Sequence, residues 1–511
     1  MYENQLPRIF ESVIHMLAEA AELAPENTAL ICDHRRLNYL EYGRCVARFA
    51  EELVGLGARN SRVVLICSNS IEIAIATLAG YAAGMQVVPI NPIYTARELT
   101  YILKDAEPSI VIYDVGISST VVPLLSNLKL RNSIDVGKGG RLLDHWRDDE
   151  TAILSMPFPT RDELAVLQYT GGTTGYPKGV NITHGQMSVN ISQRECSVPT
   201  RPEEERVLCV MPLFHVFATS MCLHLTVYCR GTLVILNRYH PADTLAALGE
   251  EKITLFPAGP TVFNGLLSYD GFEDTDFSKL RRCVSGSAPL AEETLNSWQM
   301  RTCCPILEGY GQTESGPVIT MFRDNETPIP KSVGKPLPLT MIQVVDIETG
   351  ERVLNPGKQG EIRVQGPQIM SGYRNLPNET AQALRDGWLY TGDIGEQDEN
   401  GNIFIRDRKK DLAIVGGYNV YPREIDDVLK AHPAVVEAAA IGVNDVYWGE
   451  IIEAYVVLKQ GMNTSLDHLD RYCRENLAKY KVPSKIILID EIPKTTVGKI
   501  NKTALKRIGK D

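Results

Sequence analysis

From Arg62 to Glu308 the chain repeatedly sets a short apolar run against a longer helical stretch, and this alternation constrains its fold most. Arg62-Val-Val-Leu-Ile-Cys, Ser109-Ile-Val-Ile-Tyr, Thr232-Leu-Val-Ile-Leu and Ile253-Thr-Leu-Phe read as strands buried on both faces. Arg282-Cys-Val-Ser and Pro305-Ile-Leu-Glu add two more. Buried strands separated by helices belong to parallel α/β sheets. The last two runs each end in a glycine-rich corner, Ser285-Gly-Ser-Ala-Pro289 and Gly309-Tyr-Gly-Gln-Thr-Glu314. Ligands of such sheets bind outside the carboxyl ends of the strands, which is where these corners fall.

Beyond Lys331 the character changes. Ile342-Gln-Val-Val-Asp, the turn Asn355-Pro-Gly and Gly360-Glu-Ile-Arg-Val read as an antiparallel β subdomain. A dense charge cluster, Asp407-Arg-Lys-Lys-Asp411, reads as a linker, and the apolar runs after it suggest a small α+β domain. With 511 residues, more than one core is expected. The expected architecture is α/β: a large N-terminal domain of parallel sheets plus the β subdomain over 1–408, then a small mobile α+β domain over 409–511.

Composition narrows the class. An apolar fraction of 44% and a charged fraction of 23% describe a globular chain. The net charge of −11 argues against a nucleic-acid partner. Eleven cysteines, with no paired spacing, suggest reduced thiols and a cytoplasmic location rather than a disulfide framework. The first residues lack the basic start and apolar core of a signal peptide. Ile71 to Ile90 is the longest apolar stretch, but Glu72, Gly80, Gly84 and Pro89 interrupt it. It reads as a buried helix followed by a strand, not a membrane span. Contact with a membrane would then be peripheral.

Several segments are too polar or too rich in glycine for packing alone. In Tyr169-Thr-Gly-Gly-Thr-Thr-Gly-Tyr-Pro-Lys178, glycines free the backbone to wrap an anion, while Thr170, Thr173, Thr174 and Lys178 add donors. No Gly-Lys-Ser/Thr closes it, so it is not a Walker A loop. In Glu308-Gly-Tyr-Gly-Gln-Thr-Glu314, the ring of Tyr310 between glycines can stack a flat base, and Glu314 can hold a cation. Asp393, ending Trp388-Leu-Tyr-Thr-Gly-Asp, can accept two ribose hydroxyls. Plain alternatives stand beside each: a surface turn, a strand-ending turn, a capping aspartate. For His215, in Met211-Pro-Leu-Phe-His-Val-Phe217, the alternative is a core histidine. For Lys499, in Pro493-Lys-Thr-Thr-Val-Gly-Lys-Ile, it is a surface lysine.

Taken together, in order and spacing, these segments resemble the adenylate-forming superfamily of acyl-CoA synthetases, nonribosomal adenylation domains and firefly luciferase. The likeness spans essentially the whole chain. Gln168-Tyr-Thr-Gly-Gly-Thr-Thr-Gly, Asp407-Arg-Lys-Lys-Asp411 and Gly417-Tyr-Asn-Val-Tyr-Pro-Arg-Glu424 are most similar to bacterial medium- and long-chain fatty-acyl-CoA ligases, with coumarate-CoA ligases next.

The resemblance implies roles position by position. Thr170, Gly171, Gly172, Thr173, Thr174, Gly175 and Lys178 would grip the ATP phosphates. Glu308, Gly309 and Gly311 would lie along the nucleotide, Tyr310 would stack on adenine, Thr313 would contact the α-phosphate and Glu314 would hold Mg²⁺. Asp393 would bind the ribose, with Arg408 beside it. Lys499 would reach both the acid carboxylate and the α-phosphate. Lys410 would be the hinge, and Gly416, Gly417 and Tyr418 would line the pantetheine channel of coenzyme A after rotation. Arg238 would meet a CoA phosphate. Ser285, Gly286, Ser287 and Ala288, with His215 and Phe217, would border the acyl pocket, and His215 would gate the thiol's path. The phosphate loop begins Thr-Gly-Gly where many relatives have Thr-Ser-Gly, so Gly171 lacks a hydroxyl; fatty-acyl ligases share this variant.

The implied enzyme is an AMP-forming acid–thiol ligase. It adenylates a carboxylic acid, expected to be a medium- or long-chain fatty acid, with release of pyrophosphate, and passes the acyl group to CoA. Four other readings stay open: an aryl-CoA ligase, a stand-alone enzyme loading a carrier protein, a luciferase-like monooxygenase, and a non-catalytic acyl-AMP-binding relative. A homodimer is compatible with all of them.

Overall fold

The computed structural model describes residues 6–57, 59–155, 157–170, 177–415, 418–462, 464–495 and 499–508. Gly171 to Gly175, Gly416 and Gly417 therefore lie outside the described residues. The chain forms two compact units, one of residues 1–341 and 364–389, the other of 342–363 and 390–511.

The first unit holds two sheets. In the larger, among the described residues, the order runs Lys335–Pro336, Thr320–Met321, Ile306–Tyr310, Arg282–Ser285, Leu255–Ala258, Arg206–Cys209, Thr232–Ile235, Thr28–Cys32 and Arg35–Asn38. Its central pairs are parallel and its two ends antiparallel. The other sheet runs Gly372–Tyr373, Lys178–Thr183, Leu164–Thr170, Gln86–Pro89, Arg62–Ile66, Ile110–Asp114 and Asn132–Val136. It too is parallel except at the Leu164–Thr170 end.

Local chemistry sets the helix starts. Asn38 with Glu41, Thr95 with Glu98 and Thr183 with Gln186 each form reciprocal caps, so two orphan N–H groups are satisfied at each entry. Val64, Ile66, Val88 and Val111 pack fully buried against Leu99, Ile102 and Leu103 of the helix Ala96–Ala106. Ile71–Ala82 is a buried helix and Gln86–Pro89 the strand after it. Among the described residues no helix is long and apolar enough to cross a membrane.

In the second unit, Asp393–Gln397 of the strand Trp388–Gln397 pairs antiparallel with Ile403–Arg408. Val435–Asp445 and Gly449–Leu458 form a long hairpin covered by the helices Pro422–Lys430 and Leu466–Asn476. Asp407 ties strand to helix here, because its carboxylate accepts from the amides of Arg408 and Arg423. The mixed α/β architecture, with a large part of parallel sheets and a small β-rich C-terminal part, agrees with the expectation from sequence.

Candidate functional site

The phosphate-loop segment closes a hairpin. Leu164–Thr170 and Lys178–Thr183 are antiparallel with Thr170 opposite Lys178, so the ladder clamps both ends of the intervening loop. On the far side of Lys178–Thr183 lies the short strand Gly372–Tyr373, with Tyr373 opposite Val180. The Lys178 ammonium sits 5.0 Å from the centre of the Tyr373 ring. The phenol of Tyr373 donates to Glu314 Oε1 at 3.0 Å. Burial, reinforced by the Glu314 charge, raises that phenol well above its usual range, so it stays protonated and remains a donor. Lys178 and Glu314 are thereby gathered around one aromatic ring that the sequence reading did not single out. Its two-residue strand carries no periodicity by which to find it.

The glycine-rich corners fall where parallel sheets bind ligands. Ser285 ends one strand, Glu308 lies near the end of the next, and the two are register partners. Ser285 is fully buried and its hydroxyl finds no partner among the described residues. A Cβ on Gly286 would stand 3.0 Å from the Phe217 ring, so these two acyl-pocket candidates are packed together. Ser287 adopts a left-handed φ of 70° in the turn that follows. Gly311 is the position where only glycine fits, since a Cβ would meet the Pro317 carbonyl oxygen at 1.8 Å. Closely packed backbone thus holds Tyr310 and the Thr313–Ser315 turn, which are half-buried apart from Ser315.

His215 caps its own turn: Nδ1 accepts from the Phe217 amide at 3.2 Å. That bond puts the proton of the neutral ring on Nε2. Asn69 fixes the approach by accepting from the Leu213 amide at 2.7 Å and donating to the Met211 carbonyl at 3.0 Å. Arg238 is exposed beyond the strand Thr232–Ile235, apart from these groupings.

In the second unit Asp393 and Arg408 face each other across a strand pair, and Arg408 Nε lies 2.6 Å from Asp393 Oδ1. Asp393 is 2% exposed, so its carboxylate is held in place by the guanidinium and its backbone. Lys409 is drawn to Glu361 at 2.7 Å, while Lys410 next to it is exposed. Tyr418 is stacked on Tyr480, with ring centres 4.7 Å apart.

Lys499 and Thr495 are tied together by two hydrogen bonds. The Lys499 amide donates to the Thr495 hydroxyl at 3.1 Å, and the Thr495 amide donates to the Lys499 carbonyl at 2.6 Å. Lys494, immediately before Thr495, pairs with Glu437 at 2.6 Å. Thr495 and Glu437 are supports that the sequence reading did not name; the first lies inside the lysine motif, the second on a distant strand.

Known proteins agree with this layout. The model of a family described as AMP-binding enzyme matches residues 17–374, and that of the AMP-binding enzyme C-terminal domain matches 424–499. A long-chain-fatty-acid–CoA ligase of Bacillus subtilis (strain 168) is 35% identical, over 98% of this chain and 95% of its own. Among solved structures, ATP-bound MatB from Rhodopseudomonas palustris is similar at a TM-score of 0.90 and 31% identity, covering 98% and 99% of the two chains. The o-succinylbenzoate CoA synthetase MenE of Bacillus subtilis, solved with its acyl-adenylate intermediate, has a TM-score of 0.83 at 30% identity, covering 96% and 97%.

Proposed function

This chain belongs to the AMP-binding enzyme family, and we propose that it activates a fatty or other largely apolar carboxylic acid and passes the acyl group to coenzyme A. It is an AMP-forming acid–thiol ligase that works through an acyl-adenylate. The observation that carries the proposed assignment of roles is the gathering of Lys178, Tyr373 and Glu314 beside the clamped hairpin. The acid itself is taken from the relatives named long-chain-fatty-acid–CoA ligase.

A carboxylate is inert toward a thiol until it is joined to a good leaving group. Its attack on the α-phosphorus of ATP brings two anions together, so the residues' task is positioning and neutralisation. Lys178 grips the departing pyrophosphate, with Thr170 and the loop residues Gly171 to Gly175. Tyr310 stacks on adenine between Gly309 and Gly311, Thr313 meets the α-phosphate, and Asp393 with Arg408 holds the ribose. Lys499 neutralises charge at the bond being made.

Glu314 suits Mg²⁺, because Tyr373 engages only one carboxylate oxygen and Mg²⁺ commonly takes one or two carboxylates plus substrate phosphates. Bound there, the ion would offset phosphate charge. In the second step the thiol needs the place beside the acyl carbon, so Lys499 withdraws as the chain pivots at Lys410. Gly416, Gly417 and Tyr418 then line the thiol's channel, Arg238 meets a CoA phosphate, and His215 gates the path. Phe217, Ser285, Gly286, Ser287 and Ala288 border the acyl group. Eleven free cysteines suit a reducing, cytoplasmic setting.

A screen of pyrophosphate release over C2 to C18 aliphatic acids and aryl acids, with CoA as acceptor, tests this. Release with an apolar acid and a thioester on CoA is the expected result. Release with none of the acids, or a thioester formed only on a carrier protein, would overturn it.

A further inference from the structure

The helix Ala96–Ala106 carries Asp105 in its last turn and ends at Glu107, which adopts a left-handed φ of 46°. A carboxylate in the last turn faces the negative end of the helix dipole, so it costs stability there unless other groups answer it. Two distant parts of the chain do so. Asp105 Oδ2 accepts from the Tyr169 phenol at 2.6 Å, and Oδ1 accepts from the Asn375 side-chain amide at 3.0 Å. Arg374 adds a backbone tie: its Nε donates to the Asp105 carbonyl at 2.6 Å, while another guanidinium nitrogen meets Glu107 at 2.7 Å.

These partners flank the strand that carries Lys178. Leu164–Thr170 lies on one side of Lys178–Thr183 and Gly372–Tyr373 on the other, so the one carboxylate bridges across the middle strand. Tyr169 is the register partner of Gly179, and a Cβ on Gly179 would stand 3.3 Å from the Tyr169 ring and 2.9 Å from Leu167. The bare Cα at 179 therefore leaves the ring its place. From the opposite side the Arg374 amide donates to the Gly179 carbonyl at 2.8 Å. Burial, with the Asp105 bond adding to it, raises the Tyr169 phenol well above its usual range, so it remains a donor. Each residue held in this way adjoins one that bears on the phosphates: Tyr169 adjoins Thr170, Gly179 adjoins Lys178, and Arg374 adjoins Tyr373.

We propose that Asp105 is a positioning residue for adenylation: by latching Tyr169 and Asn375 across the middle strand, it holds Thr170, Lys178 and Tyr373 in the one register in which they serve ATP. This rests on the reading of Lys178 as the grip on the departing pyrophosphate. Asp105 itself touches no substrate. Without the latch, the two flanking strands lose their common anchor, and a small misplacement of groups that neutralise phosphate charge is enough to slow the step they serve. The thioester step, which follows the loss of pyrophosphate, does not depend on it.

The test measures two quantities in Asp105→Ala, Tyr169→Phe and the double variant, with Lys178→Ala beside them. One is the KM for ATP in pyrophosphate release; the other is the rate of thioester formation from preformed acyl-adenylate and CoA. Asp105→Ala and Tyr169→Phe should each raise the KM for ATP about 10-fold, the order expected for one hydrogen bond to a charged acceptor. The double variant should be no worse than Asp105→Ala alone, because that change already deletes the Tyr169 bond. Thioester formation should stay near the wild-type rate in all three, which also shows that they fold. With Lys178→Ala raising the KM, three results would each overturn the proposal and leave the Lys178 reading intact: an unchanged KM in Asp105→Ala, effects that multiply in the double variant, or an equal loss in both steps. An unchanged KM in Lys178→Ala would instead defeat that reading, and the proposal with it.

Discussion

Tyr373 shows how one side chain can serve two charges. Its ring faces the Lys178 ammonium and its hydroxyl fixes the Glu314 carboxylate. Tyr373→Phe keeps the ring and deletes the bond, and a hydrogen bond to a charged group is worth about 1.5 to 3 kcal/mol. Pyrophosphate release should fall about 10-fold or more, with a higher Mg²⁺ concentration needed for half-maximal rate. An unchanged rate across a Mg²⁺ titration would show that Glu314 needs no such support. Lys178 and Glu314 stood out in the sequence because hydroxyls and glycines crowd around them. Tyr373 did not, because it lies 59 residues from Glu314 and meets it only through strand pairing.

At the level of elements, apolar runs were legible where burial is two-sided. Arg62–Ile66 and Arg282–Ser285 are strands as their composition suggests. The run at Ile253-Thr-Leu-Phe is a strand only from Leu255 to Ala258. Ile253 instead closes the preceding helix, its amide donating to the Leu248 carbonyl at 3.2 Å. The helix His184–Ser197 has no apolar stripe to read, because polar residues are buried on every side of it; Gln193 finds its partners in residues as distant as Pro338 and Gln368.

That helix also makes a prediction about acid. Burial pushes the His184 ring down to about 4, against ~6.5 in an unfolded chain. Below ~6.5 the unfolded state binds a proton that the native ring refuses, so stability falls with pH until the native value is reached. At pH 5 the loss is about 2 kcal/mol. In His184→Leu the drop in unfolding midpoint from pH 7.5 to pH 5 should be smaller than in the wild type. Equal drops would mean that the ring is not held neutral.

For the whole molecule, compactness and motion are separate properties. The second compact unit takes in 342–363 as well as 390–511, so the division by packing passes through strands rather than at a linker. The pivot we propose at Lys410 concerns which residues turn, and it predicts that the two half-reactions have different needs. In that account Lys499, tied to Thr495, would serve the first alone. The decisive measurement is therefore both half-reactions in Lys499→Ala. Pyrophosphate release should drop about 10²- to 10³-fold, the usual cost of losing one charge-stabilising group. Thioester formation from preformed acyl-adenylate and CoA should stay near the wild-type rate. An equal loss in both steps would contradict the account.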